Sequence, residues 1–350
     1  MYNSEKKNIV KIEENHYEEL IVFLKESDRK NRDLDFWRTR INLWWDNNPF
    51  FSEKKFRGFI IISNNKITGF FGLIPFNFTF RNTQQTCYAH TSWNVSKDSR
   101  FLSLDLFNKV ILNHKINLHF NGTPNENVKK ILEFNNFKNT RSKSNAYIYF
   151  NNFIDFYEII KNKKINIIIK IILLCIGFIQ YLTSNFFLLF VSSNIEVLSK
   201  NIQKAKLEFN NKFKKSNREK IILWFYKSKK INDKIIFYSK DKDNIINGSI
   251  IFKIENKKKY TCVDIWPLDN KAIVKGLIRK SIKKLSKDQC IVFFENYRKF
   301  IGNNLLKIGI FINFFKARPL YFYNNNDLSR IDIKQEKNID LSLLYSDYNL

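Results

Sequence analysis

Four short patterns occur twice in this chain, in the same order and at nearly the same offset. Arg38, Ile41, Leu43 and Trp44 recur in the same spacing as Arg218, Ile221, Leu223 and Trp224. Ile67-Thr68-Gly69 returns as Ile246-Asn247-Gly248, and Trp93, near the end of an apolar-aromatic strand, has a counterpart in Trp266. Ile131-Leu132-Glu133-Phe134-Asn135-Asn136-Phe137 is echoed by Leu305-Leu306-Lys307-Ile308-Gly309-Ile310-Phe311. One such match is cheap in a biased composition. Four in register constrain the domain count before any other feature does. The chain reads as two related α/β domains joined by an unusual connector, and 350 residues suffice for two cores.

Hydrophobic periodicity gives the first copy its elements. Ile9 to Ile12 alternates as a strand; Tyr17 to Leu24 and Asp35 to Trp45 space their apolar residues as helices. Phe59–Ile62 and Ile67–Phe80 are strands joined by a turn at Ser63-Asn64-Asn65-Lys66, and Thr86 to Val95 is the next strand. Leu102–Ile111 reads as helix, Ile116–Phe120 as strand, Asn125–Phe134 as helix and Ala146–Phe150 as strand. The second copy repeats much of this. Lys234–Tyr238 and Ile245–Ile254 form a hairpin, followed by strand Tyr260–Ile265, helix Lys271–Leu285 and strand Cys290–Glu295. A helix at Phe300–Ile308 and a strand around Pro319–Tyr323 complete it.

Between the copies, Ile171 to Ile195 contains no charged residue. A bilayer crossing needs roughly 20 apolar residues, so length alone permits a span. Lys170, Gln180, Thr183, Ser184 and Asn185 argue against one, as does geometry, since a span would put two related domains on opposite sides of a membrane. The expectation is a pair of apolar helices broken near Thr183-Ser184-Asn185, wedged between domains or lying in a membrane interface. The formal charge of +27 is carried largely by dispersed lysines, which form a solvated surface more readily than a nucleic-acid site. Cys87, Cys175, Cys262 and Cys290 show no ligand spacing, so neither a disulfide framework nor a metal site is expected. The polar start, Met1 to Lys7, shows no secretory signal, which points to a cytoplasmic setting.

Two stretches of the first copy carry chemistry. Trp93-Asn94-Val95 closes a strand, and Arg100-Phe101-Leu102-Ser103 opens a helix. Unpaired N–H groups at such a helix start favour an anion. Further on, Asn125 opens a helix that runs to Leu132 and stops at Asn136-Phe137. Together with the element order, these residues resemble the GNAT acyltransferases. The resemblance covers roughly Asn8 to Phe150 and, more weakly, Arg218 to Tyr323.

It implies an α/β fold class. The expectation is two GNAT-like domains, each a mixed, mainly antiparallel sheet flanked by helices, at 1–152 and 206–328. The apolar helical connector is 153–205 and a polar tail is 329–350. It also implies acetyl-CoA or another acyl-CoA as cofactor, held by Trp93, Asn94, Val95, Arg100, Leu102, Ser103 and Asn125. Ser103 and Asp105 stand where the family has small residues, and Leu132 stands where many members carry a thiolate-protonating Tyr. The second copy lacks an Arg-x-x-small sequence after Trp266-Pro267 and reads as structural or substrate-shaping.

A base for an amine nucleophile must be His or a tuned carboxylate. His90, on the strand leading to Trp93 and alternating with Ser92 and Asn94, and Glu126 are the catalytic candidates, with Asp264 weaker. The expected activity is N-acyl transfer to a small amine, such as an amino sugar in surface polysaccharide synthesis, with peripheral contact at the inner face of the membrane. Two other readings stay open: a Fem-type aminoacyl-tRNA-dependent transferase, which would use the positive charge for RNA, and a non-catalytic double domain that binds a membrane or a partner.

Overall fold

The computed structural model describes residues 7–80, 83–113, 116, 118–122, 124–139, 145–150, 153–162, 166–189, 195–197, 218–227, 234–256, 259–267, 270–285, 291–295, 310–316 and 321–324. The helix expected at 300–308 lies outside them. The strands are β1 (Asn8–Lys11), β2 (Gly58–Ser63), β3 (Lys66–Phe80), β4 (Thr83–Val95), β5 (Leu118–Asn121), β6 (Lys138–Asn139), β7 (Asn145–Phe150) and β8 (Ile195–Val197). They continue as β9 (Lys234–Lys240), β10 (Ile246–Asn256), β11 (Lys259–Trp266), β12 (Ile291–Glu295), β13 (Ile310–Lys316) and β14 (Tyr321–Asn324). The helices are α1 (Tyr17–Ser27), α2 (Leu34–Trp44), α3 (Ser103–Ile111), α4 (Glu126–Phe134), α5 (Phe153–Lys161), α6 (Ile167–Leu189), α7 (Arg218–Lys227) and α8 (Lys271–Leu285).

The strands form two seven-stranded sheets, ordered β1-β2-β3-β4-β5-β14-β6 and β8-β9-β10-β11-β12-β7-β13. Position for position the two orders match. In each, one parallel pair (β4 with β5, β11 with β12) interrupts an antiparallel set. Each sheet also takes a strand from the other half of the chain. β14 sits antiparallel between β5 and β6, while β7 sits antiparallel between β12 and β13. The compact units are therefore discontinuous: Met1–Thr140 with Lys220–Ile231 and Pro319–Leu350, and Arg141–Glu219 with Asn232–Arg318.

Local chemistry explains the elements. Asp33 caps α2 by accepting from the Phe36 N–H at 2.7 Å. The β2–β3 turn places Asn64 and Asn65 at φ 50° and 59°, the positive pair that a two-residue hairpin requires and Asn tolerates. In the first unit, Phe59, Phe71, Leu73 and Tyr88 of the sheet bury against Leu106, Phe107, Val110 and Ile111 of α3. α2 docks on β3 by stacking Trp44 on Phe70, and the Trp45 indole donates to the Leu73 carbonyl at 2.9 Å. α7 brings the copy of that motif to the same place: the Trp224 indole donates to the Leu43 carbonyl at 2.9 Å. In the second unit, Val274, Leu277, Ile278, Ser281, Ile282 and Leu285 repeat by threes and fours along α8. Its core buries them against Phe237, Ile250, Phe252 and Cys262.

The connector departs from the expected broken pair. α6 is one helix that continues through Thr183, Ser184 and Asn185. Each of these residues costs a helix interior only a few tenths of a kcal/mol, too little to break a run of this length. α5 packs on it at Gly177, where an added Cβ would lie 2.2 Å from the Phe156 ring. The described side chains of α6 run from Ile167 to Leu182, and among the described residues no helix is long and apolar enough to cross a membrane.

If β14 is integral to the first sheet, Tyr321→Ala should cost about 3–5 kcal/mol, as expected for deleting a buried aromatic ring. Tyr321 is 1% exposed. A chain stopped after Leu320 should lose cooperative unfolding of the first unit. Thermal melts followed by circular dichroism test both; a truncated chain that melts within a few degrees of the parent would contradict the exchange.

Candidate functional site

The site grows from the β3–β4 hairpin. Gly72 pairs with Thr91 and Phe70 with Asn94, so two residues, Ser92 and Trp93, stand opposite Phe71. Ser92 takes φ 44°. This is a β-bulge, which bends a strand and changes where its side chains aim. The expected alternation of His90 with Ser92 and Asn94 is corrected by it. His90 and Trp93 share the face that meets Phe71, at ring distances of 4.9 and 5.3 Å.

Beyond Val95 the chain enters a 3₁₀ turn, Lys97–Leu102, which runs into α3. Helical backbone thus opens at Lys97, not at Arg100, because only Ser96 keeps an extended ψ of 159°. The Ser103 N–H already bonds the Arg100 carbonyl. The first residues of the turn, Lys97 and Asp98, occupy the positions where helical N–H groups have no intrahelical acceptor. Thr68 on β3 pins this turn twice. Its carbonyl accepts from Ser96 N–H at 2.8 Å, and its hydroxyl accepts from buried Ser99 at 2.8 Å. Lys7 donates to the Asp98 carbonyl at 2.7 Å, while Lys97 and Arg100 stay exposed. The turn therefore has a fixed backbone and a basic surface.

Among the described residues β4 and β5 pair at Tyr88–His119 and Ala89–Phe120. From His90 to Val95 the β5-facing edge of β4 has no strand partner among the described residues, a length of roughly 15–20 Å at strand rise. Just there lies a buried histidine pair. His90 Nε2 is 3.1 Å from His119 Nδ1, so one ring donates and the other accepts. Phe71, Phe137 and Tyr323 surround the pair. Burial holds both imidazoles neutral: it drives His90 well below its ordinary value, helped by the neighbouring His119, and His119 down to about 3.

Six buried side-chain polar atoms among the described residues have no hydrogen-bond partner. Four of them, His90 Nδ1, Trp93 Nε1, Ser96 Oγ and His119 Nε2, lie on β5 and the last part of β4 with the residue that follows it. Such atoms are costly in a core and concentrate where a structure does something else.

The other expected residues are placed as follows. Val95 and Leu102, like Trp93, pack partly buried against the first core, and Asn94 pairs with Phe70. Asn125 caps α4, its Oδ1 accepting from Val128 N–H at 2.9 Å. Glu126 is exposed and bonded to Lys129. Asn136 takes φ 62°, with Asn136 N–H bonding the Glu133 carbonyl and Phe137 N–H that of Leu132, which is the left-handed stop expected for α4. Asp264 is buried on β11. Asp105, in the first turn of α3, lines an open groove of about 720 Å³ with Ile9, Lys11, Phe59, Lys109 and Leu112. Sequence reasoning missed His119 and Thr68. A lone polar residue inside the buried run Leu118-His119-Phe120 was the available signal for the first.

Solved structures of similar shape settle the architecture. A GCN5-related N-acetyltransferase from Anabaena variabilis ATCC 29413 matches 92% of this chain and 73% of its own, at 10% identity and a TM-score of 0.59. A conserved protein of unknown function from Enterococcus faecalis V583, described as a probable N-acyltransferase, matches 91% and 72%, at 9% identity and a TM-score of 0.57. The fold is that of the GCN5-related N-acetyltransferases. A third such protein, from Kribbella flavida, matches 91% of this chain and 72% of its own, at 8% identity and a TM-score of 0.53. No protein-family model matches the sequence, and no curated protein is significantly similar to it. In this GNAT fold the bulged strand, the pinned turn and the histidine pair occupy one end of the first sheet.

The histidine pair predicts acid sensitivity. An unfolded histidine titrates near 6.5, whereas native His119 does so at about 3. Between those values the unfolded chain binds a proton that the native chain does not, so stability falls as pH falls through the window. The slope is up to about 1.4 kcal/mol per pH unit for each histidine, and nothing further is lost below it. His119→Phe should flatten the fall in stability between pH 6.5 and pH 4.5 measured by urea titration. Equal slopes in parent and variant would contradict the neutral pair.

Proposed function

We propose that the chain is an acyl-CoA-dependent N-acyltransferase whose first GNAT-like unit carries the site and whose second, of the same strand order, is structural or substrate-shaping. The observation that supports this most is the parting of β4 from β5 beyond Ala89, with a bulge and four unpartnered buried polar atoms beside it. An unpaired strand edge offers N–H and C=O groups to the amide-bearing arm of coenzyme A, as an added strand would. The turn at Lys97–Leu102, with Lys97 and Arg100 exposed and Lys7 bonded to it, suits the pyrophosphate. Trp93 and Leu102 support the turn through the core, Ser103 opens α3 behind it, and Asn125 shapes the start of α4.

In the reaction an amine nitrogen attacks the thioester carbonyl. The C–N bond forms, the C–S bond breaks, the nitrogen gives up one proton to solvent water, and the thiolate leaves and takes a proton from solvent. Positioning supplies most of the acceleration. His90 is the candidate to orient the amine by accepting a hydrogen bond at Nδ1, and Glu126 is the alternative base at the start of α4. The acceptor we assign is an amino sugar handled at the inner face of a membrane, a reading supported by the resemblance in the sequence and by the apolar connector.

Titration calorimetry with acetyl-CoA tests the cofactor. Arg100→Glu and Ser103→Glu should each weaken binding at least tenfold, about 1.4 kcal/mol or more, because each puts a negative charge beside the pyrophosphate. Asp105→Gly should bind at least as tightly as the parent. Unchanged affinity in both Glu variants would remove the first unit from consideration.

A further inference from the structure

α6 is built inside out. Nine large apolar residues on it, Ile167, Ile168, Ile169, Ile171, Ile172, Ile176, Phe178, Ile179 and Leu182, are 47–68% exposed. At 100° per residue they fill an arc of about 200°. Cys175 joins them, and between Ile167 and Leu182 no polar residue falls in that arc. The residues turned toward the protein are the half-buried Lys170, Leu173, Leu174, Gln180 and Tyr181 and the buried Gly177. A helix on a water-facing surface shows the reverse arrangement. Lone exposed apolar residues need no explanation, but a continuous face of this size marks a contact.

The surroundings choose the partner. Protein interfaces mix apolar cores with polar rims and roughly one hydrogen bond per 100–200 Å², which this face cannot make. A second copy brings the same charge of +27, and the two repel. An anionic lipid surface answers both features. The acyl region takes the isoleucines, while Lys161, exposed at the end of α5, meets the headgroups. Ile154 and Tyr157 of α5 are also exposed, at 73% and 41%, and Lys161 lies over the Tyr157 ring.

We propose that the outward face of α6 docks the protein onto an anionic bilayer, with the helix lying in the interface. This gives the membrane-face part of the functional reading its contact surface and does not depend on acyl transfer. The test is flotation of the full chain with vesicles of phosphatidylcholine alone and with about one-third phosphatidylglycerol. The parent should float with the anionic vesicles, and the exposed triple change Ile168→Glu, Ile172→Glu, Ile179→Glu should reduce the floated fraction at least tenfold. An unchanged melting temperature and acetyl-CoA affinity in that variant separate loss of docking from loss of fold or of the cofactor site. A parent that floats with neither vesicle, a variant that floats as well as the parent, or a parent dimer that the variant turns into monomer would each overturn the proposal.

Discussion

A single bulge at Ser92 sets the geometry on which the candidate site depends. One extra residue opposite Phe71 brings His90 and Trp93 onto the same face, so both rings join the aromatic column that ends on Phe107. The same irregularity lies three residues past the last β5 pairing, on the stretch of β4 that leads to the turn that Thr68 holds. Ser92 at φ 44° takes a conformation that costs a residue with a Cβ. The bend, the free strand edge and the fixed basic turn are consequences of that one placement.

Strand exchange is the second constraint. Because β14 lies between β5 and β6, the ring of Tyr323 stacks on Phe137 at 4.8 Å, and the Tyr321 hydroxyl donates to Glu133 at 2.5 Å. The histidine pair is thus enclosed partly by residues some two hundred positions away in sequence. Contacts of such separation form late, since loop closure is costly before they do. The N-terminal stretch alone holds most of the first sheet but not the strand that encloses its end.

Much of the local structure was legible in the sequence. The hairpin at Asn64-Asn65, the Asn136 stop of α4 and the periodicity of α8 are governed by neighbours a few residues apart, and local rules reach that far. The periodicity of Asp35–Trp45 marked α2 as a helix, and the echo of its motif at Arg218–Trp224 falls on α7. What periodicity does not carry is partnership. Alternation shows that Asn145–Phe150 and Tyr321–Asn324 are strands, but not which sheet each joins. Nor does it show a bulge, so His90 was read onto the face of Ser92, and the helical start was placed at Arg100 in place of Lys97. His119 escaped notice for the same reason, since its meaning comes from the parallel pairing that sets it 3.1 Å from His90.

The central claim is that the opened edge of β4 and the turn after it receive an acyl-CoA. Amide hydrogen exchange with and without acetyl-CoA tests it most directly, because it reports which backbone groups become protected. The account predicts protection confined to peptides covering Thr91 to Ser103 and the start of α4, with β11 and α8 unchanged. Protection that appears only in Lys259–Leu285, or nowhere in the first unit at saturating acetyl-CoA, would contradict it.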